Sequence, residues 1–347
     1  MKEETLASLE AVLRHFAIKP RYFERHGRVF KIFSDKGIFA LKRISAYSGT
    51  GFIRHLQFLF QRGYHRIVPV YPTVDGRYGV LDHHYLYYLM PWLPNKIKEE
   101  RSRRQQQMFR ELARLHGLSV RKVFIKTEDK AAYYEKTVHE WEKDEEFLEG
   151  FMEQCENRVY MSPFELLFCL YYIDVFRAQQ YAKEKFHRWF KQTGEKEDAR
   201  IVLVHGNISP EHFVYDDKGY GYFINFEKSR PGSPLMDLLP FLSRVLRTFP
   251  QQCDECVDWI NVYFKHFPLT EEEMLLFQSY FSRPWPIIRT VAAYFQTGEP
   301  DERRFVEELQ RNYWLLKNTE YVVMRLEEME RRRKEQEALD EHLADNK

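Results

Sequence analysis

The apolar positions change period part-way along the chain. Leu6, Leu9, Val12, Leu13 and Phe16 recur at three- and four-residue steps, which places them on one face of a helix. Short apolar runs follow at 22–24, 29–33 and 38–43. They are separated by His26-Gly27 and by Ser34-Asp35-Lys36-Gly37, so they predict three antiparallel strands. Runs at 67–71, 78–81 and 85–92 extend that sheet, and Pro91 and Pro94 close it off. Beyond them the spacing becomes helical. Residues 97–116 predict a long helix stopped by Gly117, and 164–190 a strongly apolar one behind Pro163. Two strands, 201–204 and 222–226, lie on either side of the Asp216-Asp217-Lys218-Gly219 turn. Helices are then expected at 238–248, 253–267, 271–281 and 285–295, with a long one from Asp301 through Met329 into a charged tail. The pattern is that of an α+β chain, a small antiparallel sheet first and a larger helical part after it.

Composition narrows the function. With 44% hydrophobic and 16% aromatic residues in 347, the chain can fill a core and is not broadly disordered. Its 53 basic and 52 acidic residues leave a net charge of +1, so nothing draws it as a whole to nucleic acid or anionic lipid. No apolar run approaches the roughly 20 residues that span a bilayer. The start, MKEETLASLEAVLRHF, is acidic and amphipathic and unlike a secretory signal, so synthesis in the cytoplasm is expected. Cys253-Asp254-Glu255-Cys256 has C-x-x-C spacing, but Cys155 and Cys169 are not spaced as the second pair of a zinc site. Residues 96–110, with Arg101, Arg103 and Arg104, are either a phosphate- or partner-binding patch or a solvated helix face. The 22 tyrosines and 28 phenylalanines suit a dense assembly or ordinary core packing equally.

Residues 201–237 read IVLVHGNISPEHFVYDDKGYGYFINFEKSRPGSPLMD. This stretch resembles the catalytic segment of the aminoglycoside phosphotransferase/choline kinase branch of the kinase-like fold: H-G-D-x-x-x-x-N, a strand, a turn, I-D-[WF], then D-P-x-x-D. The resemblance implies a two-lobed protein-kinase-like fold. It places an N-lobe at 1–91, a helical C-lobe at 92–330 that carries the catalytic segment, and a charged helical tail at 331–347. In such enzymes an aspartate handles the proton of the attacking hydroxyl, an asparagine and a second aspartate hold magnesium, and a strand lysine contacts phosphate. By that correspondence Asn207 stands at the base position, and His212 and Asn225 stand at the metal-ligand positions. Lys42, in Phe39-Ala40-Leu41-Lys42, stands at the phosphate contact, while His205 and Asp237 brace the loop.

The departures change the chemistry. An amide has no basic carboxylate to accept a proton. Magnesium gives up its water reluctantly without anionic oxygen, and imidazole suits softer metals. The helix expected at 51–62, GFIRHLQFLFQR, holds no glutamate to pair with Lys42, and none occurs between Glu24 and Glu99. Gly27 alone makes no G-x-G-x-x-G cradle. No active catalytic residue, metal or cofactor is therefore expected.

Two alternatives stay open. An active small-molecule phosphotransferase using ATP and magnesium would need Glu211 or Glu227 as a substitute ligand. Glu227 is expected to point away from position 225. Lys42, Arg25, Arg28 and the backbone at His205-Gly206 would instead hold phosphates without turnover.

The helix, three strands and A-L-K, the YLYYLMPW run at 85–92, the Leu112-Ala113-Arg114-Leu115-His116 helix end and the H-G-N segment also resemble the bacterial spore-coat proteins of the CotS and YutH type. That resemblance spans roughly residues 5–320. It implies a pseudokinase made in the mother-cell cytoplasm and built into the endospore coat, with other coat proteins as partners. The sequence leaves the identity of those partners and the oligomeric state open.

Overall fold

Helix α1 (Leu6–Arg14) and strands β1 (Pro20–His26), β2 (Val29–Ser34) and β3 (Gly37–Ser45) follow the expected order. The computed structural model describes residues 6–95, 100–248, 252–298 and 301–345. It divides into two units, Met1–Arg121 with Ile201–Asp237, and Lys122–Arg200 with Leu238–Lys347. In the first unit, α2 (Phe52–Gln61), β4 (Val80–Asp82) and β5 (Tyr85–Pro91) complete a five-stranded antiparallel sheet of order β1-β2-β3-β5-β4.

Strand alternation splits this sheet into two faces. Leu9, Val12 and Leu13 of α1, with Phe16, pack on Phe30, Ile32, Leu41, Tyr87 and Leu89. Each such side chain contributes about 1.5–3 kcal/mol on burial. Lys42 and Tyr88, paired across β3 and β5, therefore point to the other face, where Phe52 of α2 meets the Tyr88 ring at 5.3 Å. The run at 67–71 forms no strand. Ile67 and Tyr71 make only isolated bridges, to Phe223 and Leu89, because Pro69 and Pro72 lack the donors a ladder needs.

Helix α3 (Arg101–Ser119) passes through Gly117 instead of stopping there, and ends where the Ser119 hydroxyl bonds back to Leu115 O at 2.8 Å. Its expected start at residue 97 lies outside the described residues. After β6 (Arg121–Phe124) comes α4 (Thr127–Glu156), which the apolar pattern did not reveal: its buried side chains are widely spaced in an acidic sequence. Helix α5 (Pro163–Thr193) begins on a capping box, with Ser162 accepting from the Glu165 N–H and Glu165 accepting from the Ser162 N–H.

The chain then returns to the first unit. There the end of β7 (Asp198–Val204), from Ile201 on, leads to β8 (Phe213–Tyr215) and β9 (Gly221–Phe223), a hairpin, and β10 (Arg230–Gly232) pairs with Val202–Val204. The strand expected at 222–226 ends at Phe223, because Asn225 adopts a left-handed conformation (φ 69°) and a 3₁₀ turn follows at Phe226–Lys228. Asparagine tolerates that region better than most residues.

Helix α6 (Leu235–Thr248) carries Asp237 in its first turn. Helices α7 (Asp254–His266), α8 (Glu271–Ser282), α9 (Trp285–Gln296) and α10 (Glu302–Asp345) complete the second unit, where α5 packs on α4, α8 and α10. Aromatic rings fill its core: Trp141, Phe186 and Trp189 cluster together, and Phe164 stacks on Tyr294 at 4.0 Å. Core packing thus accounts for much of the aromatic content. The charged end of α10 is laced by i,i+4 pairs such as Glu330–Lys334 at 3.2 Å. No described helix is long and apolar enough to cross a membrane.

Candidate functional site

Strand β7 delivers His205 and Gly206 to the carboxylate of Asp237. The His205 N–H donates to Oδ2 and the Gly206 N–H to Oδ1, both at 2.7 Å. His116 approaches Oδ2 through Nε2 at 3.2 Å, and all three side chains are buried. Gly206 takes φ 79°, and a Cβ there would lie 2.3 Å from Lys228 O, so only glycine fits.

The tautomer of His205 follows from its neighbours. Its Nδ1 accepts the Asn207 N–H, so Nε2 bears the hydrogen and donates to Ile224 O at 2.7 Å. Burial keeps that ring neutral by lowering its pKa, against the pull of Asp237. Burial would push the Asp237 carboxyl up. The hydrogen bonds from His116 and from the His205 backbone outweigh it and hold Asp237 below the usual carboxylate range.

The second cluster gathers around Lys42. Its ammonium donates to Asn225 Oδ1 and lies against Glu227 Oε1, each at 2.5 Å. The Tyr88 hydroxyl donates to the same Glu227 oxygen at 2.5 Å. Positions 225 and 227 both face Lys42, on one side, as residues two apart do on a strand. This corrects the expectation that Glu227 points the other way. Lys42 and Glu227 are both largely buried. Burial pushes the Glu227 carboxyl up, but the Lys42 charge and the two hydrogen bonds hold it low. Burial draws Lys42 down, partly offset by Glu227, and the charge of Arg28 adds to the lowering. Helix α2 offers no acid here; its His55 Nδ1 meets Ser229 Oγ at 2.8 Å instead.

His212 is committed to the loop itself: Nδ1–H donates to Asn207 O at 2.7 Å, tying one end of the segment to the other. Glu211 lines a different pocket, with Arg101, Arg104 and Gln105. Arg25 turns its Nε to Gly27 O at 3.3 Å.

These donors do not fit a magnesium ion. Position 225 presents a neutral amide already bound to an ammonium, and position 212 presents an imidazole. The nearest carboxylate, Glu227, is neutralised by Lys42, and both oxygens of Asp237 are taken by the backbone. Among the described residues no three histidine, cysteine or acidic side chains gather as a metal site. Lys42 and Asn225 thus meet, and His205 meets Asp237. Sequence reasoning did not find Tyr88, His55 or Ser229. It weighed Glu227 only as a metal ligand, and its one signal for more was an asparagine placed directly before Phe226-Glu227.

The model of the phosphotransferase enzyme family matches residues 24–255. Among solved structures, the fold is similar to an aminoglycoside phosphotransferase from Alicyclobacillus acidocaldarius subsp. acidocaldarius DSM 446, at 14% identity and TM-score 0.66, covering 90% of this chain and 96% of that one. It is also similar to a spectinomycin phosphotransferase solved with ADP and spectinomycin, at 12% identity and TM-score 0.52, covering 92% and 100%. No curated protein matches the chain. At these identities the solved structures speak for the fold alone.

Proposed function

The chain belongs to the phosphotransferase enzyme family, and we propose that it keeps the family's fold without its reaction, as a structural or docking component of the bacterial endospore coat. The observation that carries the catalytic half is the Lys42 ammonium held between Glu227 and Asn225. The acid that pairs with Lys42 comes from the catalytic segment and not from helix α2, so the ion pair of an assembled kinase site is replaced by one that ties the lysine to positions 225 and 227. Asn207 has no carboxylate to take a hydroxyl proton. On this reading neither ATP nor magnesium is needed.

The coat half rests on the resemblance of the A-L-K strand, the aromatic run at 85–92, the Leu112–His116 helix end and the H-G-N segment to the CotS and YutH type. It expects other coat proteins as partners. Fractionation of sporulating cells that make a tagged chain tests it: recovery with the coat layer supports the assignment, and recovery with soluble cytoplasm in mature spores overturns it. The catalytic half is tested by restoring Asn207→Asp, His212→Asn and Asn225→Asp together. The restored variant is expected to gain magnesium-dependent ATP binding that the parent lacks.

One observation favours a second reading, an active phosphotransferase with a rewired metal site: the Glu227 carboxylate does reach the pocket. It requires magnesium to draw Glu227 away from Lys42 and Tyr88. Magnesium-dependent phosphoryl transfer by the parent, lost in Glu227→Gln, would establish it.

A further inference from the structure

None of the four cysteines is in a disulfide, and they lie as two pairs in the second unit. Cys253 and Cys256 are both buried, with sulfurs 2.7 Å apart, closer than ordinary sulfur–sulfur contact. Cys253 caps the N-terminus of α7 and Cys256 lies in its first turn, so the helix itself holds the two side chains on one side. Cys155, near the end of α4, and Cys169 of α5 also share a hydrogen bond.

The pairs differ in placement: Cys253 and Cys256 lie within one turn of one helix, whereas Cys155 and Cys169 come from two helices. Burial, reinforced by Cys169, pushes the Cys155 thiol up to about 12, so it supplies almost no thiolate for exchange. Among the described residues no third ligand joins either pair to hold a metal.

We propose that Cys253 and Cys256 are a two-electron redox site that closes to an intrachain disulfide on reaction with low-molecular-weight disulfides. One thiol loses its proton and attacks the small disulfide, forming a mixed disulfide and expelling one small thiolate. The second cysteine sulfur then attacks the protein sulfur of that mixed disulfide and expels the other. In sum, two protein thiols are oxidised and one small disulfide is reduced to two thiols. Asp254 and Glu255, lying between the cysteines, put negative charge beside any thiolate, which favours the closed form over an open dithiolate. The bridge closes only a short loop, so its contribution to global stability is small. The site is therefore suited to reversible chemistry and not to stapling the fold.

The test equilibrates the full chain in glutathione buffers of rising oxidised fraction, blocks remaining thiols with an alkylating agent, and reads intact mass and peptide maps. The expected result is loss of two hydrogens, two surviving alkylation sites at Cys155 and Cys169, and a linked peptide containing both Cys253 and Cys256. Cys256→Ser is expected to trap one glutathione on Cys253, and Cys155→Ser to leave the bridge unchanged. Four alkylated cysteines in fully oxidised glutathione, or a bridge mapping to Cys155–Cys169 instead, overturns the proposal whether or not the variants fold.

Discussion

Asp237 and Glu227 are acidic side chains of the same segment, nearly buried in the same unit, yet they hold different things. Asp237 binds backbone: two consecutive N–H groups and a buried histidine converge on it. Glu227 binds side chains, the Lys42 ammonium and the Tyr88 hydroxyl. The first arrangement fixes the path of the chain whatever the loop does chemically. The second ties the strand lysine to an acid of the catalytic segment itself, where an assembled kinase site pairs it with a helix glutamate. One acid holds the backbone of the segment, and the other holds the strand lysine.

If that contrast holds, Asp237→Ala is the most damaging change. It strips two buried N–H groups and His116 of their acceptor, so urea denaturation should show a loss of about 4 kcal/mol, near the range for breaking buried charged networks. Glu227→Gln keeps an acceptor for Tyr88 but leaves Lys42 with only the Asn225 amide and the new one. It should lose less, about 2–3 kcal/mol by the same measurement. Equal losses in the two variants would dissolve the distinction.

The pH dependence sharpens the comparison. His205 is held neutral by burial, so its folded pKa lies below its unfolded value, and stability begins to fall once the pH drops below about 6.5. The carboxyls of Asp237 and Glu227 have lowered folded values. Their contribution is complete above the unfolded value of about 4 and disappears as the pH falls through the folded ones. Denaturation midpoints from pH 7 to 3 should therefore decline in two stages. Glu227→Gln should flatten the lower stage and leave the upper one unchanged.

The smallest effect lies away from both carboxylates. Ala17 closes α1 with φ 54°, while the Ile18 N–H returns to Leu13 O at 3.2 Å. Ala17→Gly relieves that strain and should raise stability by about 0.5–1 kcal/mol, against a general background of destabilising glycine substitutions.

Much of this was legible in the sequence. Turn chemistry between short apolar runs gave β1 to β3 and the strand after the 216–219 turn, though not β8 before it, and the A-L-K run put Lys42 on a strand. The H-G and the later aspartate marked a bracing pair. Other features depended on local backbone that apolar periodicity does not record. The left-handed residue Asn225 and the 3₁₀ turn after it cut short the strand expected at 222–226. Two prolines cancelled a strand at 67–71 that the apolar pattern supported, and a glycine that reads as a stop sits inside α3. Helix α4 escaped notice because it buries few residues per turn. Tyr88 and His55 were invisible as site residues, since each looks like ordinary core or surface until its partner 139 or 174 positions away is known.

Calorimetric titration of the unmodified chain with magnesium and ATP bears most directly on whether Lys42 is closed off by Glu227. No saturable heat up to millimolar nucleotide is the predicted result. Saturable, magnesium-dependent binding that disappears in Glu227→Gln would mean that this carboxylate grips a metal and not the lysine, and would contradict the account.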